Sequence, residues 1–400
     1  MRELVIVNTT AGFFTPTSGA IAVWIRSILE QTLGSGVRVH LISRAATEAS
    51  YDVPNLRLIP YPELPKGRFH AALTSRLSEL RGWTHSREYI WAQSVRRELV
   101  SMAGDNAVVI THNDPALASH LSIYLPHAKI VHLFHNTLPW SAKVRSHYRC
   151  NIGNSLAVSD YVARWVENEF ILPTCSVGTL YNGVDLARFS PLLEGTGKAN
   201  VAPSRNSPLI SYSGLINRNK GVDTLLRSLL LVAEQRNDFS VQLLGNIGSI
   251  HGVELDDDFA ALIHDLIGQL QTLGVVVDRP GYIPWNEVSS RLVRASIHVV
   301  PSRWQEPFPL SALEGMACGL ATVASTSGGL PELVGEAGLT FEAEDIRALA
   351  NHLETLIASP EMRAHYGRLA RQRAETFTWN RTWQSLYGRL DLTSARTGVS

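Results

Sequence analysis

One pattern constrains the fold of this 400-residue chain more than any other: short apolar runs alternate with longer amphipathic stretches, and the series occurs twice. In the first half the runs are Leu4 to Val7, Val37 to Ile42, Leu56 to Ile59, Ala107 to Ile110, Ile130 to Phe134 and Ser155 to Val158. In the second they are Leu209 to Tyr212, Ser240 to Leu244, Val275 to Val277, Ile297 to Val300 and Ala321 to Ala324. Such alternation predicts α/β structure, a parallel sheet with helices on both faces in each half. Ser190 to Pro208 is rich in Pro, Gly, Ser and Asn, as an exposed linker between two domains would be. Open parallel sheets bind ligands at the carboxyl ends of their strands, so the site is expected there.

Bulk properties remove several function classes. Lys plus Arg number 36 and Asp plus Glu number 36, so the chain has no basic footprint for nucleic acid. Met1-Arg2-Glu3 leads straight into the first apolar run, which reads as a strand rather than a signal peptide. No apolar run approaches the ~18 residues that span a bilayer. Cys150, Cys175 and Cys318 are scattered and not spaced as metal ligands. The expectation is a cytoplasmic protein without a zinc site or disulfide framework.

Two carboxylates stand out in the second series. Glu306 and Glu314 lie in Pro301-Ser302-Arg303-Trp304-Gln305-Glu306-Pro307-Phe308-Pro309-Leu310-Ser311-Ala312-Leu313-Glu314. Leu310 to Ala317 reads as a helix with Pro309 at or near its first position, where a missing N–H costs nothing. Free N–H groups at a helix start favour an anion such as a phosphate. Carboxylates beside a phosphate can bind hydroxyls, which a sugar nucleotide offers; acids that merely suit the helix dipole are the plainer reading. Lys220 lies six residues after Gly214 in Ser213-Gly214-Leu215-Ile216-Asn217-Arg218-Asn219-Lys220-Gly221-Val222-Asp223. A glycine lets the backbone pass close to a ligand, and an ammonium neutralises phosphate as a point charge. Gly281-Tyr282-Ile283-Pro284 and Gly328-Gly329-Leu330-Pro331-Glu332 close two further strand–helix connections.

With these motifs in this order, the chain resembles the large family-4 group of retaining glycosyltransferases, which have the GT-B fold. The resemblance runs from about Ala157 to Trp379. It implies two doubly wound Rossmann-like domains facing across a cleft. Residues 1–190 would form the acceptor side, 191–208 the linker and 209–377 the nucleotide-sugar domain, with the chain from about 378 to 400 packing back on the first. It further implies transfer of a hexose-type sugar from a nucleoside diphosphate to a glycan, lipid-linked or small-molecule acceptor, in polysaccharide or glycoconjugate biosynthesis, with no cofactor and no metal. Glu314 would take the ribose hydroxyls, Ile283 the base through its backbone, and Lys220 and Gly19 the diphosphate. Glu306 and His135 would meet the donor sugar, Gly214, Phe308 and Leu310 would complete the donor contacts, and Glu306, His135 and Lys220 would carry catalysis. Asn182-Gly183-Val184-Asp185 with Phe189 matches a hinge signature, and Ser159 matches a helix cap. The chain departs from the pattern at Leu215, where arginine is usual, at Ser18, where a second glycine often precedes Gly19, and at Pro309, where many relatives have glycine. Arg218 is near enough in sequence to replace the missing arginine.

Other features keep two readings each. His112 is either a satisfied polar group at a strand end or a site residue. Asp256-Asp257-Asp258 contains a metal-binding Asp-x-Asp but reads as a helix cap. Residues 66–97 carry seven Lys or Arg and two Glu, with Glu98 next in the chain, beside the apolar stripe Phe69, Leu73, Leu77, Leu80 and Trp83. That stripe either faces a core or docks peripherally on the inner face of an anionic membrane. A sugar-nucleotide epimerase or hydrolase on the same scaffold, and a non-catalytic sugar-nucleotide-binding subunit, are the alternatives to a transferase.

Overall fold

The computed structural model describes residues 2–8, 19–43, 55–60, 99, 107–151, 154–191, 207–248 and 256–390. Within them the chain forms two compact units, 1–182 with 379–400, and 183–378.

The first unit opens with β1 (Arg2–Asn8), α1 (Ala20–Gln31), β2 (Val37–Ser43), β3 (Leu56–Pro60) and β4 (Val108–His112). It continues through α2 (Pro115–Tyr124), β5 (Lys129–Phe134), α3 (Ala142–Asn151), β6 (Ser155–Ala157), α4 (Asp160–Phe170) and β7 (Val177–Thr179). These strands make a parallel sheet in the order β3-β2-β1-β4-β5-β6-β7. Every residue of β4 is buried, which is why the strand reads as an unbroken apolar run rather than an alternating one. The helices start where the sequence supplies caps. The Asp114 side chain accepts the Leu117 N–H at 2.9 Å ahead of Pro115, and Ser159 accepts the Val162 N–H at 3.1 Å.

The second unit runs β8 (Leu209–Ser213), α5 (Val222–Ala233), β9 (Ser240–Leu244), α6 (Asp257–Thr272), β10 (Val276–Gly281), α7 (Trp285–Leu292) and β11 (Ile297–Val300). It ends with α8 (Leu310–Ala317), β12 (Ala321–Ser325), α9 (Leu330–Val334), β13 (Leu339–Phe341), α10 (Ile346–Ala358) and α11 (Pro360–Ala374). Its parallel sheet has the order β10-β9-β8-β11-β12-β13. Strand order reverses between β8 and β11, so the loops leaving these two neighbours diverge around a switch point. The core joins Ile210, Val241, Leu243, Ile297, Val299 and Val323 of the sheet to Leu225, Leu229, Leu266 and Leu353 of the helices. Burying each such side chain contributes roughly 1.5–3 kcal/mol, the main force holding the layers.

The last helix, α12 (Trp379–Arg389), belongs to the first unit. It packs against α1, and its Thr382 hydroxyl donates to the Tyr181 carbonyl at 2.8 Å. The chain passes from the first unit to the second at Asn182–Gly183, inside the hinge signature, and the Asp185 side chain accepts the N–H groups of Ala187 and Arg188 at 2.9 and 3.1 Å. Among the described residues no helix is long and apolar enough to cross a membrane.

Candidate active site

The Lys220 loop begins where β8 stops. Asn217 turns it by accepting the Lys220 N–H on its side chain at 3.1 Å, and Arg218 to Lys220 form one 3₁₀ turn. Gly221 then adopts φ +66°, and a side chain there would strike the carbonyl of Pro301. Only glycine makes that turn without strain. Gly214, at φ +147°, donates its N–H to Leu244 at 2.9 Å, and the Tyr212 hydroxyl closes the loop base by donating to the Leu215 carbonyl at 2.7 Å. Burial, with the Glu306 charge adding to it, pushes the Tyr212 phenol well above its ordinary range, so it serves as a neutral donor.

The loop leaving β11 is strapped to this turn. Arg303 and Trp304 donate their backbone N–H groups to the Asn219 carbonyl at 2.8 and 2.9 Å. The Arg303 guanidinium forks onto Asp223 at 2.8 and 2.7 Å and also reaches the Arg218 carbonyl at 2.9 Å. Across this frame, Lys220 Nζ lies 2.6 Å from Glu306 Oε1, and the Ser302 hydroxyl donates to the same oxygen at 2.7 Å. Glu306 is 7% exposed at its side chain and Lys220 31%, so a buried carboxylate meets an ammonium that solvent still reaches. The two residues, 86 positions apart in sequence, thus meet at the switch point. Gly329 secures the Glu306 backbone by donating its N–H to the Glu306 carbonyl at 2.6 Å. Gly328, at φ +65°, packs so closely on the Glu306 backbone that a Cβ would overlap it.

Pro309 is the N-cap of α8, one position ahead of its first helical residue. Phe308 is buried edge-on against Phe377 at 5.6 Å. Leu310 and Ile283 are half-buried, Ile283 in the loop between β10 and α7. Glu314 is half-buried on α8; burial raises its pKa to about 7, opposed by the positive charge of Arg188. The Arg188 guanidinium lies 3.8 Å over the Trp285 ring and donates to the Trp285 carbonyl at 2.8 Å.

Arg218 opens the 3₁₀ turn that ends at Lys220. Its side chain pairs with Asp256 at 2.5 Å in an exposed ion pair, beside the ring of Phe259. Asp256 meanwhile caps α6 by accepting the Phe259 N–H at 3.0 Å, as the cap reading expects. Among the described residues no group of three or more His, Cys, Asp or Glu converges as a metal site.

In the first unit, His135 directly follows β5 and His112 ends β4. His112 Nδ1 lies 2.9 Å from His135 Nε2, and the edge of Trp24 packs on both rings. Asn113 tolerates φ +47° and accepts the His135 N–H on its side chain at 2.7 Å. Among the described residues, His112 Nε2 and His135 Nδ1 have no hydrogen-bond partner. His112 is therefore half-satisfied, engaged by the histidine the resemblance singled out. Gly19 is the exposed N-cap of α1 at φ −72°, where a Cβ would meet nothing within 4 Å, so the described backbone does not itself demand glycine there. Ser18 and the basic segment 66–97 lie outside the described residues.

Residues 197–373 match the model of the family described as Glycosyl transferases group 1. That match lies within the second unit, 183–378. Alpha-maltose-1-phosphate synthase of Mycolicibacterium smegmatis is 29% identical over 316 residues, 70% of this chain and 78% of that protein. A glycosyltransferase from Rickettsia africae superposes with a TM-score of 0.76 at 18% identity, over 98% of this chain and 99% of the other. HepE of Anabaena, solved with UDP and glucose, gives 0.69 at 17% identity over 98% and 100%. The architecture is GT-B, and the enzyme class is glycosyltransferase.

The resemblance did not draw attention to Ser302, Asn219 or Arg188. Ser302 stands in the Glu306 stretch, but a serine four residues ahead of a carboxylate carries no signal by itself; the loop geometry reveals it.

Proposed function

We propose that the protein is a retaining glycosyltransferase that moves a hexose-type sugar from a nucleoside diphosphate to an acceptor hydroxyl. The observation that carries this reading is the Lys220–Glu306 pair at the switch point of the second sheet, a cation for diphosphate beside a buried carboxylate for sugar hydroxyls. Glu314 is assigned to the ribose, the Ile283 backbone to the base, and the backbone of Gly214, Phe308 and Leu310 to further donor contacts. Arg218 would have to leave Asp256 to join them; the pair is exposed and solvent-screened, so little opposes that. Gly19 and His135 of the first unit are assigned to the diphosphate and the sugar.

In the reaction the bond from C1 of the sugar to the phosphate oxygen breaks, and its electron pair stays on the departing diphosphate. The acceptor oxygen bonds to C1 on the same face and its proton passes to that phosphate. Catalysis is then mostly positioning and electrostatic stabilisation of departing charge. Lys220 supplies the positive charge that a metal would otherwise bring, so turnover in excess EDTA should equal turnover without it. Loss on chelation, restored by manganese, would defeat that part.

The named relative makes a sugar phosphate, so phosphorylated sugars join glycans and lipid-linked sugars in the acceptor panel. The decisive experiment incubates the protein with UDP-, GDP- and ADP-hexoses, with and without these acceptors, and follows products by mass spectrometry and anomeric NMR. A product of inverted configuration refutes the retaining assignment. Donor consumption that is indifferent to every acceptor favours the hydrolase or epimerase.

A further inference from the structure

We infer that Ser302 is the positioning residue that orients the Glu306 carboxylate for sugar transfer, an inference that rests on Glu306 meeting the donor sugar. Ser302 is 1% exposed and Glu306 6%, so water does not compete for their contact. The Ser302 hydroxyl lies 2.7 Å from Glu306 Oε1 and 3.2 Å from the Asn219 carbonyl. One proton cannot serve both acceptors well, and the Asn219 carbonyl already receives the Arg303 and Trp304 N–H groups. The nearer, charged acceptor takes it.

The serine itself is fixed. Its carbonyl accepts the hydroxyls of Ser325 at 2.6 Å and Ser327 at 2.8 Å, which occupies both lone pairs. On the other side the Glu306 main chain is tied to Gly329. Lys220 differs in kind: a compact ammonium on a flexible stem attracts the carboxylate without setting its plane. When a donor diphosphate competes for Lys220, the Ser302 hydroxyl keeps its hold on Oε1. Oε2, which has no hydrogen bond among the described residues, stays available to sugar hydroxyls.

The test measures nucleoside diphosphate release from whichever hexose nucleotide the wild type turns over, with calorimetry of the matching free nucleoside diphosphate. Ser302→Ala should lower kcat about ten- to hundredfold, the size expected of a carboxylate displaced by a fraction of an ångström. Its Kd for the nucleoside diphosphate should change less than about twofold, since Ser302 does not face the nucleotide in this scheme. Ser302→Thr should restore most of the loss. Adding Ser302→Ala to Glu306→Gln should cost less than about twofold more, because the two groups act as a unit. A role in packing alone would instead impose its full penalty in both backgrounds. Ser302→Cys, close in size with a weak donor, makes the same comparison if the alanine variant does not fold. Wild-type kcat in Ser302→Ala with Glu306→Gln inactive would overturn this inference alone. Glu306→Gln turning over like wild type would overturn the assignment of Glu306 and this inference with it.

Discussion

Two carboxylates eight positions apart sit in different electrical settings, and the difference predicts different phenotypes. Glu306 is held by a cation and a hydroxyl, so Glu306→Gln should nearly abolish transfer while calorimetry shows nucleotide affinity close to wild type. Glu314→Ala should weaken nucleotide binding by roughly 1–3 kcal/mol through lost ribose hydrogen bonds. Wild-type nucleotide affinity in both variants would remove the ribose assignment. Glu314 also titrates in a useful range. Its folded pKa of about 7 lies above the ordinary 4.5, so the folded chain binds the proton more tightly than the unfolded one. The contribution to stability is therefore full below 4.5 and lost as pH rises to about 7. Glu314→Gln should remove that slope, read as the difference in melting midpoint from wild type between about pH 5 and 7. Nucleotide binding by the wild type should tighten over the same window, as the carboxylate becomes the hydroxyl acceptor.

At the scale of elements, the central strands were legible because burial on both faces leaves continuous apolar runs. β9 and β11 fall at Ser240–Leu244 and Ile297–Val300 as read. Two strands escaped notice, β7 as Val177–Thr179 and β13 as Leu339–Phe341. Each has three residues at a sheet edge, too short for any periodicity to show. β10 was read as Val275 to Val277; it runs Val276–Gly281 through a register shift, with an exposed edge that tolerates charge and proline. Motif order singled out Lys220 and Glu306, and their side chains meet at 2.6 Å. Ser302 and Asn219, which hold the two loops, were not singled out: a serine four residues before a carboxylate carries no signal, and the contacts of the Asn219 carbonyl join loops far apart in sequence. The strap suggests its own test. Gly221→Ala places a side chain against Pro301 at a positive φ, so it should destabilise the second unit by about 2 kcal/mol or more in urea unfolding. Unchanged stability would mean that the two loops shift apart readily.

Across the whole molecule, acid should act unequally on the two units. Burial lowers the pKa of His112 to about 3 and those of His132 and His135 well below the ordinary 6.5, all in the first unit. The second unit holds His298, lowered to about 4 by burial, together with Glu314, whose raised pKa works in the opposite direction. A histidine with a lowered pKa contributes stability that is present above 6.5 and lost as pH falls toward its folded value. Hydrogen exchange compared at about pH 7 and pH 5 should therefore show protection falling mainly in β4, β5 and their neighbours. Equal losses in β8 and β11 would contradict this.

The Asn219 carbonyl, which gathers two amides and a nearby hydroxyl from the loop after β11, has a consequence for how this enzyme can change. The turn carrying Lys220 and the loop carrying Glu306 have no independent freedom to lengthen or shorten. A library that randomises one of them should lose activity almost everywhere, whereas one that exchanges both as a block from a single relative should retain it. Donor preference in this chain would then be inherited in pairs of loops rather than residue by residue.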